Sequence, residues 1–204
     1  MEFIESHDQL RAVFGTPSEL AVKKQMPRLD VHAKAFLAKS PIVMIGSQDR
    51  AGHGDVTPKG DRPGFVQVLD DDTIAIPDRP GNNRLDTWMN LVENSAIGLL
   101  FMIPGMNETL RINGTARLTV DAGLCERLGM NGRPAKAVVV VAVTEVYMHC
   151  AKAYIRSELW KPETWPARGE MPTLGEMLRD QLALSESAGT IDDNLAKAYQ
   201  KTLW

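Results

Sequence analysis

The chain has 204 residues, of which 44% are apolar and 24% charged, and its formal net charge is -3. That length accommodates one sizeable core, the composition is too apolar for a disordered chain, and the negative balance argues against nucleic acid as the main partner, since backbone phosphates recruit basic surfaces. No stretch approaches the roughly 18 to 20 apolar residues that cross a bilayer, and the acidic start Met1-Glu2-Phe3-Ile4-Glu5 lacks the basic and apolar regions of a signal peptide, so a cytoplasmic protein without a membrane partner is expected.

The first forty residues read as helical. Ser6-His7-Asp8-Gln9 and Thr16-Pro17-Ser18-Glu19 both have capping-box spacing, with Pro17 where a helix start tolerates proline. A third helix is expected from Val31 to about Lys39, capped by Asp30 and ended by Ser40-Pro41. All three are expected to pack on the outside of a sheet.

From Pro41 to about Cys150 the pattern changes to short β-rich runs: Ile42 to Ser47, Phe65 to Leu69, Thr73 to Pro77, Ala96 to Ile103, Glu108 to Val120 and Ala137 to His149. Asp70-Asp71-Asp72 and Pro104-Gly105-Met106-Asn107 are compact turns, so neighbouring runs should pair antiparallel. Helices are expected from Arg84 to about Asn94 and, capped by Asp121, from Asp121 to Leu128; two more lie near Thr173 to Leu182 and Ile191 to Leu203. Val138 to Val143 reads as a strand buried on both faces. Cys125 and Cys150 stand far apart without metal-ligand spacing, and both are expected to be free thiols in or near the core. The fold class is therefore β-rich α+β, one domain over 1–204 with N-terminal helices to residue 40, a barrel core over 41–150 and a C-terminal extension over 151–204.

Four stretches carry chemistry. Asp78-Arg79-Pro80-Gly81-Asn82-Asn83-Arg84 leaves a strand and enters a helix, so helix-start amides, Asn82, Asn83 and the Arg84 fork could cradle a phosphate; a well-capped helix with solvated arginines accounts for the same residues equally well. Gly54 to Phe65, containing Val56, Thr57, Pro58 and Lys59, is too polar and too rich in glycine and proline for ordinary strand filler. It could run along a flat polar ring or be a mobile hairpin loop. In Thr109 to Leu118 the polar residues alternate, which puts Arg111, Asn113, Thr115 and Arg117 on one sheet face, where Arg111 could reach a phosphate or a partner subunit or simply be solvated. Lys152 and Arg156 have helical i, i+4 spacing and could form a cationic edge, with Trp160 available to stack on a ring or to pack. His149 and Cys150 cannot act as a catalytic pair, because neighbours in a strand point to opposite faces.

Taken in register, the Gly54 to Phe65, Asp78 to Thr87 and His149 to Trp160 segments resemble a branch of the pyridoxamine 5'-phosphate oxidase-like, FMN-binding split-barrel family, over about Ala35 to Trp160. The resemblance implies a split β-barrel of about six or more strands and a homodimer with two FMN sites at its interface. It places the phosphate at Asn82-Asn83-Arg84 and Arg111, the flavin ring along Val56 to Lys59, Asp78 and Arg79 among the cofactor contacts, and Lys152, Arg156 and Trp160 as contacts from the second subunit. The Arg-x-His substrate signature of the oxidases proper is absent, and the chain ends in Thr202-Leu203-Trp204. The implied function is an FMN-dependent oxidoreductase acting on an unidentified small molecule, with a nicotinamide as a conceivable electron donor. The alternatives are a non-catalytic flavin or haem binder on the same barrel and a deazaflavin user.

Overall fold

The computed structural model describes residues 1–203. In chain order the elements are α1 (His7–Phe14), α2 (Glu19–Lys23), α3 (Val31–Leu37), β1 (Ile42–Gln48), β2 (Gly54–Gly60), β3 (Gln67–Val68), β4 (Thr73–Pro77), α4 (Asp86–Glu93), β5 (Ala96–Met102), β6 (Thr109–Thr119), α5 (Ala122–Arg127), β7 (Val138–His149), α6 (Lys152–Ser157), α7 (Leu174–Leu182) and α8 (Ala188–Thr202). The strands form one antiparallel sheet in the order β2-β1-β5-β6-β7-β4-β3, so the fold is α+β and the sheet does not close into a ring.

One face of that sheet wraps the core. Val43 and Ile45 of β1, Ile97, Leu99 and Phe101 of β5, Leu110 and Ile112 of β6, and Val139, Val141 and Val146 of β7 are all buried in a single cluster. Phe36 and Leu37 of α3 and Trp88 and Leu91 of α4 complete it. Asp30 accepts from the Ala33 amide at 2.8 Å and so fixes the start of α3, as the cap predicts. The opposite face is covered only at one end, where Cys125 and Leu128 of the α5 region pack on Ala75 and Val138.

A β-bulge divides β7. Asn113 of β6 pairs with Glu145, but the next residue, Gly114, pairs with Val143, leaving Thr144 as the extra residue. The insertion shifts the inward set from Val139, Val141 and Val143 to Val146, since strand side chains alternate with a period of two. A Cβ on Gly114 would come within 2.0 Å of the Ala142 carbonyl oxygen, so this crowded crossing requires glycine.

Several expectations need correction. Gly54 to Gly60 is neither filler nor a loop but the edge strand β2, paired with β1 from Gly54↔Gln48 to Gly60↔Ile42. Pro58 is tolerated because an edge strand has one side on which no ladder bond is needed. The expected strand from Phe65 to Leu69 shrinks to Gln67–Val68. Val138 to Val143 is buried on both faces only where α5 covers it, and Ala142 is exposed. Cys125 is buried but Cys150 is exposed. The second helix is capped by Ser18, not Thr16, so Pro17 precedes the cap. Neither α1 nor α2 has a buried residue, and so neither packs on the sheet; the seven α3 residues alone meet that expectation.

β2 and β4 stand near opposite ends of the strand order, yet the segments that follow them meet. Asp61 and Arg79 form an ion pair at 2.5 Å, with side chains only 4% and 17% exposed respectively. Arg79 also donates to the carbonyls of Leu128 at 2.9 Å and Asp78 at 3.3 Å. The curled sheet is held across its split by this pair. Removing one partner of a buried pair strands the other charge, so Asp61→Ala is expected to cost roughly 3–5 kcal/mol, and Asp61→Ala combined with Arg79→Leu less than the sum of the single changes. Urea unfolding of the three variants checks this; a single-variant loss under ~1 kcal/mol would mean the pair does not hold the split.

Candidate functional site

The cavity of interest lies in that split. Cross-strand partners share a sheet face, so Asp55, Thr57 and Lys59, opposite Ser47, Ile45 and Val43, point to the inner side of β2. Facing them are the 78–85 segment and the first turn of α4, and between the two is a cavity of about 440 Å³. Three contacts tie the walls together. The Thr87 hydroxyl donates to Asp55 at 2.9 Å, the Trp88 indole donates to Asp78 at 3.3 Å, and the Lys59 ammonium lies 4.6 Å from the centre of the Trp88 ring. Thr87 and Trp88 are themselves buried, so these contacts are anchored on the core side.

The 82–85 segment has an unusual backbone. Asn83 and Leu85 both adopt left-handed conformations, with φ of 58° and 63°, and Asn82 accepts from the Arg84 amide at 3.1 Å. Asparagine tolerates that region, but a leucine there costs about 1–2 kcal/mol, offset here by the burial of Thr87 and Trp88 immediately after it. The helix expected from Arg84 therefore starts at Asp86, with Leu85 at its cap and no side-chain cap bond. The first-turn amides of α4 have no partner within the helix and carry the positive end of its dipole. Arg84 makes a two-pronged contact with Asp86, at 2.8 and 3.3 Å, and that hydrogen bond raises the guanidinium pKa further.

The cavity walls carry charges of both signs. Of the carboxylates on the walls, Asp86 is paired with Arg84, whereas Asp55 and Asp78 accept from the neutral Thr87 hydroxyl and Trp88 indole and keep their charge. Lys59 and Lys136 also line the cavity and make no ion pair among the described residues. Lys59, over the Trp88 ring, Lys136 and the helix-start amides could together hold a phosphate or another anionic group.

The structure brings together Thr57, Lys59, Asp78, Arg79, Asn82, Asn83 and Arg84 of the expected site residues, with Val56 at the cavity's rim and its side chain, opposite Gly46, toward the outer face. Arg79, however, is committed to Asp61 and to backbone carbonyls, and so serves the wall rather than a ligand. Pro58 faces the other way, opposite Met44. Arg111, Lys152, Arg156 and Trp160 do not line the cavity in this chain. Arg111 lies on the open sheet face, 5.5 Å from the Tyr147 ring centre and 3.9 Å from Glu145. Lys152 and Arg156 are exposed on α6, while Trp160 stacks on Tyr154 at 5.9 Å and donates to the Met106 carbonyl at 2.7 Å. Sequence reasoning missed Asp55, Thr87, Trp88, Lys136 and Thr202 as lining residues. The alternation of Asp55 with Thr57 and Lys59 could have revealed the first, but Lys136 and Thr202 reach the cavity through the tertiary fold and leave no local signal.

On the open face, His149 sits 5.1 Å from Tyr147, and Lys24 lies 5.2 Å from the same ring. Burial, then Arg111, then Lys24 push the His149 pKa below its usual 6.5. The unfolded chain therefore binds the proton first as pH falls. His149 leaves stability unaffected above about 6.5, lowers it as pH drops through that value, and stops doing so only below its folded-state pKa. Histidine NMR titration should show a depressed His149, moved upward but not to the ordinary value by Arg111→Met, because burial is the larger cause; an unmoved titration would remove Arg111 as a cause.

A comparison with curated proteins finds no match. Among solved structures, HupZ of Group A Streptococcus is 20% identical, with 59% of this chain and 93% of that chain covered and a TM-score of 0.47. A candidate pyridoxamine 5'-phosphate oxidase of Lactobacillus delbrueckii is 20% identical over 60% of this chain and 95% of that chain, with a TM-score of 0.49. An FMN-binding protein of Syntrophomonas wolfei is 13% identical over 70% and 96%, with a TM-score of 0.43. The family model for pyridoxamine 5'-phosphate oxidase matches residues 29–150, which takes in α3 and every strand of the sheet. The chain belongs to the pyridoxamine 5'-phosphate oxidase family.

Proposed function

We propose that the cavity between β2 and α4 binds FMN and that the protein is an FMN-dependent oxidoreductase of an unidentified small molecule. The observation that carries the reading is the meeting of a polar strand edge with a helix start in one cavity of about 440 Å³, within the range of cofactor pockets. The residues present fit the group. Asn82, Asn83, Arg84 and the first turn of α4 supply donors for a phosphate, and Thr57 and Lys59 supply a hydroxyl and a cation for a polar ring edge.

When bound, the flavin supplies the redox chemistry, accepting and passing on electrons. The chain supplies the surroundings. Lys59, held over Trp88, favours negative charge at the ring edge beside it, and the buried Trp88 ring keeps water from that wall. No acid or base of the chain is required for this role.

The same reading includes a homodimer. The open sheet face carries Ile42, Met44 and Leu100 half-buried and Val56 at 71% exposure, an apolar strip that a second subunit would cover. Across such an interface, Lys152, Arg156 and Trp160 would serve the partner's cavity, which accounts for their distance from their own. A cytoplasmic location accords with two free thiols, one of them exposed.

The deciding measurement is the visible spectrum of protein purified without added cofactor, followed by denaturation and chromatography of what is released. FMN in proportion to chain supports the reading; a deazaflavin or a haem band replaces the cofactor, and a colourless protein that fails to bind added FMN overturns it. In flavin-loaded protein, Lys59→Met is expected to lower the midpoint potential by on the order of 30 mV, the equivalent of about 1.4 kcal/mol for a two-electron couple. An unchanged potential would remove Lys59 from the cofactor's surroundings.

A further inference from the structure

We infer that the N-terminal arm, residues 1–22, packs on a second copy of this chain; the inference rests on the homodimer reading. The arm's sequence specifies helices that its own chain does not support. Ser6 caps α1 by accepting from the Gln9 amide at 3.2 Å, Glu5 and Gln9 add a bond at 2.8 Å, and Gly15 ends the helix at φ 68°. Ser18 caps α2 in the same way, at 3.3 Å. Yet neither helix has a buried residue. Helices of eight and five residues are too short to persist in water on local signals alone and depend on packing an apolar face.

The apolar face is present and bare. Phe3, Val13, Phe14, Leu20 and Val22 are all exposed, Phe14 at 71% and Leu20 at 77%. Exposed apolar residues are ordinary singly, but Leu10, Val13 and Phe14, at i, i+3 and i+4, share one face of α1 and form an apolar stripe of the kind that marks an interface.

The root of the arm indicates the occupant. Past Ala142, β7 no longer pairs with β4, and Met26 takes over that free edge through two backbone bonds with Val146, at 3.0 and 2.8 Å. Lys24 donates to the Met148 carbonyl and Gln25 to Glu145, each at 2.7 Å. These bonds fix the arm's departure at the rim of the open sheet face, beside Tyr147 and Arg111. A chain leaving that rim is continuous with the face that the homodimer reading assigns to the second copy. Two arms exchanged in this way add apolar area at both edges of the interface, which the sheet strip alone does not supply.

Sedimentation equilibrium of the full-length chain and of full-length Val13→Ser/Phe14→Ser tests the inference, with flavin content and far-UV circular dichroism recorded on both. Neither side chain is buried in its own subunit, so the fold of the protomer should survive the change. The expected result is a dimer dissociation constant raised about thirtyfold or more, as for loss of an aromatic hot spot, with sheet content retained. Leu20→Ser, in the other helix, should weaken the dimer in the same direction. A dimer as tight in both variants as in the native chain overturns the inference and gives the arm to some other occupant, while leaving the homodimer reading intact. A native chain that sediments as a monomer overturns the homodimer reading as well.

Discussion

The arrangement depends on the buried ion pair between Asp61 and Arg79. A seven-stranded sheet that does not close has two ends, and burying its inner face requires them to be brought together without a ladder of backbone bonds between them. Here one carboxylate and one guanidinium, both largely withdrawn from water, join them directly at 2.5 Å, while α4 bridges the walls through Thr87 and Trp88. The carbonyls of Leu128 and Asp78 take up the remaining donors of Arg79, which limits the cost of burying its charge. Because the pair sits just past the ends of β2 and β4, the split remains open above it, and the cavity is what the clamp leaves.

Everything that gives the cavity its character is anchored on α4. Trp88 and Leu91 bury that helix in the core, and Thr87 and Trp88 then reach out to Asp55 and Asp78 on the two walls. The strained turn at Asn83 and Leu85 is the cost of starting the helix abruptly enough that its first amides face the cavity instead of being capped by a side chain. Core packing and the placement of the helix-start amides thus depend on the same helix, so a change to one alters the other.

Much of this was legible in the sequence where the physics is local. The caps at Ser6, Asp30 and Asp121 are where spacing puts them, the Asp70 to Asp72 and Pro104 to Asn107 turns join paired strands, and the polar alternation of β6 holds from Arg111 to Arg117. The misses are long-range. β2 carries proline and glycine that argue against a strand unless it is known to lie at an edge, and edge position is a property of the whole sheet. Thr16 has the box spacing with Glu19 and Ser18 does not, yet Ser18 is the cap in the fold. The double burial of β7 depends on how far α5 extends over the sheet. Eight of the thirteen expected site residues gather at the cavity, because they lie in two segments that adjoin it; Arg111, Lys152, Arg156 and Trp160 lie elsewhere in the chain, where no spacing argument could locate them.

The extra residue at Thr144 acts as a phase change within one strand. Before it, β7 shows the core Val139, Val141 and Val143; after it, the positions that would have faced inward, Glu145, Tyr147 and His149, face outward beside Arg111. The two halves can therefore vary under separate pressures, one for filling the inner core while α5 covers its back, the other for what the open face must meet. A single inserted position is enough to divide one β-strand between two tasks.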